Sequence, residues 1–419
     1  MIEITSSKLY DEQASINHVK ALAFRRHAST EGETKCLNYI IQELKKEDIN
    51  PTTETFEWAN IFTITLKLIF TFLFAYIFIY QIIMLFPSIT WIILILDILF
   101  FVIVFFVVKF LFDSIQLRFI GKNKEAKNLI LSFQCKDPFP KRPVIIFSAH
   151  HDTASQRYPM KMIKILYKYG ALLILTYLIL TFIVSIWSLL VIFSIAQINT
   201  FYYNFRNIIF VIGLIILILN LILLANKKSN KSIGSIDNAS GVAILIELAK
   251  LIKKNPLNRT DVIFLWCGAE ERGLWGSRQY CNQHFEELIH EYDLDKSYNI
   301  NIDMVGTYIG LLDKIGLFKK KDLNKNLNSV LEASANRQKI PIKKESVKIG
   351  AGSSDHQIFR AYAKKYENSG FQVSLFSTED DVKYIHSKQD TPEKCSAEKL
   401  NDCIEICYNV IKSLDLRVE

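Results

Sequence analysis

The chain has 419 residues, half of them hydrophobic and 22% charged, with a mean hydropathy of +0.18. That balance excludes both an ordinary soluble enzyme and a pure membrane bundle, and predicts membrane spans joined to a globular part. The formal net charge is +8 without a block of like charge, so the basic excess reads as membrane-flanking and no nucleic-acid partner is expected.

The N-terminal stretch MIEITSSKLYDEQ is polar and acidic, which predicts no cleavable signal peptide. Thr30-x-x-Glu33 is a capping-box pattern, after which Leu37, Ile40, Ile41 and Leu44 form one apolar helix face. An edge strand is expected near 53–56. From 68 to 96 the chain then carries no charge, broken only by the turn-like Phe86-Pro87-Ser88. Spans are predicted over about 61–85 and 89–112, since about 20 apolar residues suffice to cross a bilayer. Asp97 lies in the second of them. An ionisable group there is a functional candidate by default, and the plainer reading, which is preferred, is a partner for Arg206 or a tyrosine.

Short apolar runs at 129–133, 144–147, 262–266 and 373–376 lack clean alternation, as expected of strands covered on both faces. A second apolar pair, about 168–196 and 206–226, turns at Gln197 to Asn207. Each hairpin returns the chain to its starting side. Segments 1–57, 113–161 and 227–419 are therefore expected to form one catalytic-type domain around transmembrane hairpins at 58–112 and 162–226. Residues 113–168 hold eleven Lys/Arg, Lys227, Lys228 and Lys231 follow the last span, and the far-side turns hold only Arg206. The positive-inside rule then places the globular side in the cytoplasm. Seven cysteines without a CxxC pair fit reduced thiols there. Strands alternating with helices, such as the one marked by Val242, Leu245, Ile246, Ala249 and Ile252, predict a doubly wound α/β fold. Its sheet is expected to be mostly parallel, with helices on both faces.

Ligands of such folds gather at strand carboxyl ends, and the chemical residues cluster at those positions. The strand at 144–147 runs into His150-His151-Asp152. In extended chain His150 and Asp152 point one way and His151 the other, so His150 can ligate a metal while Asp152 orients it. Asp237-Asn238-Ala239-Ser240-Gly241 opens a helix; Asp237 fits either a bridging carboxylate or a simple N-cap, and Gly241 permits close backbone approach. The strand at 262–266 ends in Glu270-Glu271, where one acid can bind metal and the other serve as general base. Asp303 stands at the end of Asn299-Ile300-Asn301-Ile302. Ser353-Ser354-Asp355-His356 and Tyr384-Ile385-His386 through Asp390-Thr391 follow. Each His or acid taken singly also fits an ordinary structural role.

Taken in order, these motifs resemble the co-catalytic di-zinc exopeptidases, metallopeptidase family twenty-eight, which includes secreted bacterial aminopeptidases and glutamate carboxypeptidase II. The shared pattern is His-x-Asp, Asp-Asn-x-Ser-Gly, Glu-Glu-x-Gly-Leu-x-Gly-Ser, Asn-x-Asp-Met-x-Gly, Ser-Asp-His and a late His before Asp-Thr. The chain departs from it in spacing, with Asp237 standing 87 positions after His150 and the second hairpin filling the excess. The resemblance covers the globular part and neither hairpin.

The resemblance implies two zinc ions per chain, one held by His150 and Asp303, the other by Glu271 and His386, with Asp237 bridging. Glu270 would be the general base. Asp152 and Asp390 would orient His150 and His386, and Asp355, His356 and Tyr384 would stand behind the ligands or on the substrate side. The expected activity is a membrane-anchored zinc aminopeptidase acting on peptides. A non-catalytic membrane scaffold of the same fold and a glutaminyl-cyclase-type acyltransferase are the alternatives; the eight histidines all lie outside the spans, which disfavours a metal transporter.

Overall fold

A computed structural model of the chain describes residues 11–59, 61–83, 85–86, 92–113, 124–316, 320–324, 326–347, 353–368 and 370–418. It divides into two compact units: residues 1–59, 123–155 and 229–419 form one, and 60–122 with 156–228 form the other. The Pro87-Ser88 turn and the basic residues of 114–123 lie outside the described residues.

The first unit is mixed α/β. Its strands are β1 (Thr52–Trp58), β2 (Lys124–Phe133), β3 (Val144–His150), β4 (Asp261–Cys267), β5 (Tyr298–Ile302), β6 (Gly310–Ile315), β7 (Lys343–Val347) and β8 (Gln372–Phe376). They join in the order β1-β2-β4-β3-β5-β8-β6-β7, and Lys321–Asp322 adds a ninth, two-residue strand on β6. The central β4-β3-β5-β8 ladders are all parallel. Every residue of β3 and β4 is buried, which explains the unbroken apolar runs in the sequence. The edge differs: β1, β2 and β4 pair antiparallel. Strand direction is not encoded in an apolar run, so the sequence could not distinguish these from the parallel centre.

Helices α1 (Ala14–Ala21), α2 (Glu31–Lys45), α7 (Ser240–Lys254), α8 (Trp275–Glu291), α9 (Leu327–Arg337), α10 (His356–Lys365) and α11 (Ala397–Asp415) complete this unit. Helix α2 begins at Thr30 as the capping pattern predicts, but the bonding is rearranged. The Thr30 hydroxyl donates to the His27 carbonyl, and Glu33 accepts from the Ser29 amide (2.6 Å) and the Lys127 amide (3.1 Å). Glu33 thus ties the helix start to β2, a role set by tertiary context rather than by local spacing.

The points where the chain leaves this unit lie beside the points where it returns. β1 and β2 pair from Thr52↔Ile130 to Trp58↔Lys124, so Trp58 and Lys124 are ladder neighbours. The second departure is pinned by Ser155 Oγ, 2.7 Å from Ser229 Oγ and accepting from the Lys231 amide at 2.8 Å. Insertions of any length then cost the sheet little, because their ends close on adjacent positions.

The second unit holds α3 (Ile61–Ile83), α4 (Ile92–Asp113), α5 (Met160–Ile192) and α6 (Thr200–Leu224). Two of these, α5 and α6, are long and apolar enough to cross a membrane; Lys67–Ile83 and Ile92–Ile103 are shorter apolar stretches. Large side chains such as Phe105, Phe106, Leu172 and Ile218 are more than half exposed, an outer surface that water disfavours and lipid suits. Both α5 and α6 begin earlier than the sequence predicted. Helix α5 runs back through Lys168, Lys164 and Lys161 to Met160, and α6 starts at Thr200, capped by the Asn199 side chain on the Tyr202 amide. Charge marks where a helix leaves an apolar medium, not where it ends. Inside the unit the Tyr76 hydroxyl donates to Asp97, whereas the Arg206 guanidinium stacks on Tyr202 at 5.6 Å. Of the two partners predicted for Asp97, the structure shows the tyrosine.

Candidate metal centre

The site is assembled at the carboxyl ends of the parallel strands. His150 is the last residue of β3 and pairs with Cys267, the last of β4. Asp303 follows β5 and donates its amide to the Phe376 carbonyl at the end of β8 (2.9 Å). After β4 the chain reverses at Ala269 (φ 53°) and sets Glu270 and Glu271 on one short 3-10 turn. Asp237 lies just before α7, and His386, at φ 55°, on the loop between β8 and α11.

Two groups of side chains with the donors to hold a metal ion result among the described residues: His150, Asp237 and Asp303, and Asp237, Glu271 and His386. Asp237 belongs to both, one oxygen to each. Its Oδ1 lies 3.0 Å from His150 Nε2 and its Oδ2 3.2 Å from His386 Nε2. Asp303 Oδ1 is 3.3 Å from His150 Nε2, and Glu271 Oε1 is 2.8 Å from His386 Nε2. Burial favours neutral imidazoles, but the neighbouring carboxylates outweigh it and hold His150 well above its usual value and His386 up to about 10. The surplus of negative charge here suits cations, and the imidazole and carboxylate donor set suits zinc.

Glu270 is in neither group. Burial and repulsion from Asp303 and Glu271 push its carboxyl well above the carboxylate range, against the pull of His150. Its backbone is held by Asp152, whose Oδ1 accepts from the Glu270 amide (3.0 Å) and Oδ2 from the Glu271 amide (3.3 Å). The Asp152 carbonyl stands 3.1 Å from His150 Nδ1 and its carboxylate 3.6 Å. One aspartate therefore positions a histidine and the Glu-Glu turn together. His151 faces the other way, with Nε2 2.9 Å from the Lys127 carbonyl, and burial lowers it to about 4.

Around Asp237, Asn238 takes the capping role that the sequence also left open to Asp237. Its Oδ1 accepts from the Gly241 amide (2.9 Å) and its Nδ2 donates to the Ile302 carbonyl (2.8 Å). A Cβ at Gly241 would fall 2.4 Å from that Ile302 carbonyl oxygen, so the backbone approach requires glycine.

Asp390 was expected to orient His386, but among the described residues its bonds run elsewhere. Its carboxylate accepts from the amides of Ile236 (2.6 Å) and Asp237 (3.3 Å), and burial with repulsion from Asp237 raises it to about 7. His386 instead turns its Nε2 toward Glu271 (2.8 Å) and Asp237 (3.2 Å). Asp355 is fully buried beside Ser277 and Cys267, raised by burial to about 6 and within electrostatic reach of Glu270, His150 and Asp303. His356 is also fully buried, and burial lowers it to about 3. Neither presents a surface to a substrate. The Tyr384 ring lies near the ammonium groups of Lys383 (4.9 Å) and Lys394 (4.8 Å) and in neither ligand group.

Sequence reasoning missed Arg26. It is fully buried, and its guanidinium donates to the carbonyls of His151 (3.0 Å), Ile233 (2.7 Å) and Gly234 (2.8 Å). Arg25-Arg26 sits before a helix in an unremarkable polar stretch, and nothing local signals backbone partners more than a hundred residues away.

Residues 224–411 match the profile of Peptidase family M28. The aminopeptidase YwaD of Bacillus subtilis is 32% identical over 169 residues, 40% of this chain and 34% of that protein. A Caenorhabditis elegans protein whose name describes an endoplasmic reticulum metallopeptidase is 30% identical over 182 residues, 42% of this chain and 18% of that protein. The chain thus spans about a third or less of the length of these curated relatives. Among solved structures, the aminopeptidase of Aneurinibacillus sp. strain AM-1 superposes with a TM-score of 0.52 at 15% identity, over 96% of this chain and 93% of that one. That likeness shows the fold.

Proposed function

We propose that this relative of peptidase family M28 is a membrane-anchored zinc aminopeptidase that removes N-terminal residues from peptides, using two zinc ions per chain. One observation carries the reading: the two oxygens of Asp237 are divided between two ligand groups, each completed by a histidine and a second carboxylate. A simple N-cap has no use for that division. His150 and Asp303 would hold one ion, Glu271 and His386 the other, and Asp237 both. When bound, the ions supply Lewis acidity that makes water nucleophilic near neutral pH and polarises the scissile carbonyl. Glu270, beside the cluster but outside both groups, takes the proton from the attacking water and delivers it to the departing amine. Asp152 fixes the Glu270-Glu271 turn so that the base and a ligand keep their separation.

A panel of aminoacyl fluorogenic substrates tests this with full-length protein in detergent. Zinc-dependent release from free-amino substrates, abolished by chelation and absent when the amine is acetylated, is the expected result. Release only from C-terminally cleavable peptides would reassign it as a carboxypeptidase. Cyclisation of Gln-initiated peptides without hydrolysis would reassign it as an acyltransferase.

The anchor comprises four spans, α3 to α6, with the catalytic unit on the cytoplasmic side. Lys161, Lys164 and Lys168 in the first turns of α5, against no basic residue at 193–199, support that orientation. All seven native cysteines are buried, so Ile195→Cys in that turn, at a site 72% exposed, gives a clean label. Labelling by an impermeant thiol reagent is expected in intact cells; labelling only after permeabilisation would reverse the orientation.

A further inference from the structure

We infer that Arg26 is a positioning residue of the metal centre, bolting together the two chain segments that carry His150 and Asp237. The inference rests on the zinc reading of that centre. These two ligands are separated in sequence by the whole inserted segment 156–228, and β3 fixes only the first of them. The second arrives on the returning chain, which must be registered against the first from outside the sheet.

Arg26 supplies that registration. Nε donates to the His151 carbonyl at 3.0 Å, on the outgoing side; Nη1 and Nη2 donate to the Ile233 and Gly234 carbonyls at 2.7 and 2.8 Å, on the returning side. Nη1 also donates to the Leu22 carbonyl, which anchors the fork to its own segment. The backbone completes the joint: the Arg26 amide donates to Thr153 Oγ1 (2.9 Å) and the Thr153 amide to the Arg26 carbonyl (3.2 Å). Gly234 adopts φ +58°, and a Cβ there would fall 2.2 Å from Thr153 Cγ2, so the returning chain is pressed against the outgoing one. Three residues further on stands Asp237.

A fully buried guanidinium bonded to carbonyls, with no carboxylate paired directly to it among the described residues, is costly to retain for stability alone. Its geometry is what a lysine cannot copy: a planar fork reaching two segments at fixed spacing. The carboxylates of Asp152, Asp237 and Asp390 lie within its electrostatic reach, so it also offsets part of the negative charge behind the centre.

The test compares full-length wild type, Arg26→Lys and Thr153→Val in detergent. Zinc affinity is read by competition with a chromophoric chelator, kcat and KM on the best aminoacyl substrate, and fold by near-ultraviolet circular dichroism. Arg26→Lys keeps the charge and loses the fork, and is expected to weaken zinc binding about 10–100-fold and lower kcat, with KM within about threefold. Thr153→Val removes one acceptor and is expected to shift both in the same direction by about threefold or more. A folded Arg26→Lys protein that binds zinc and turns over like wild type overturns the inference. If that variant does not fold, Thr153→Val decides by the same criterion. Wild type that takes up no zinc refutes the reading of the centre and this inference with it, which separates the two failures.

Discussion

Glu270→Gln is expected to lower kcat by about 10²–10⁴-fold, the usual worth of a positioned general base, while zinc content and KM stay near wild type. Glutamine keeps the size and shape of the side chain and cannot take a proton. The Glu270 amide still donates to Asp152, so the turn that carries Glu271 is undisturbed, and neither ligand group includes position 270. Elemental analysis of the purified variant with kcat and KM on one free-amino substrate makes the comparison. A variant that loses zinc along with activity would make Glu270 a ligand. Wild type and variant equally inactive with zinc bound would favour the non-catalytic scaffold.

The centre was legible in the sequence because its chemistry lies at strand ends, where short motifs keep their spacing whatever is inserted between them. His150, Asp237, Glu271, Asp303 and His386 converge in space although 236 residues separate the first from the last. What the motifs could not show was how the convergence is held. Asp390 was expected on His386 and instead holds the amides of Ile236 and Asp237; Asp152 was expected on His150 and also holds Glu270 and Glu271. Both use backbone amides, which every residue but proline possesses and no sequence pattern marks. Arg26 is the extreme case, with a guanidinium whose partners among the described residues are all backbone carbonyls.

The fold shows the same division. Apolar runs announced β2, β3, β4 and β8 but neither β6 nor β7, and the central four strands are parallel as expected, yet the antiparallel pairing of β1 and β2 had no signature. The chain leaves at Trp58 and returns beside it at Lys124, so β1 and β2 pair like the arms of a hairpin whose connection is residues 59–123. Both insertions close on adjacent positions, the first at Trp58 and Lys124 and the second at Ser155 and Ser229.

Asp237→Asn is expected to be the most damaging single change at the centre, because it alone withdraws a ligand from both groups. Asparagine offers one acceptor oxygen where the carboxylate offers two, and turns an amide nitrogen with its hydrogens toward either His150 or His386. It also removes the negative charge that both ions of the proposed centre would share. Asp303→Asn and Glu271→Gln each alter one group and leave the other intact. Stepwise zinc titration should therefore show two equivalents for wild type, one weakened step for Asp303→Asn or Glu271→Gln, and both steps weakened for Asp237→Asn. Losing the cations' stabilisation of developing charge, about 4 kcal/mol or more, corresponds to about 10³-fold or more in kcat. Two outcomes would break the argument. A wild-type titration ending at one equivalent would remove the bridging role and turn attention to acyl transfer on a single ion. Two wild-type steps with only one altered in Asp237→Asn would mean that Asp237 serves one group, and that its division between two histidines is a product of proximity.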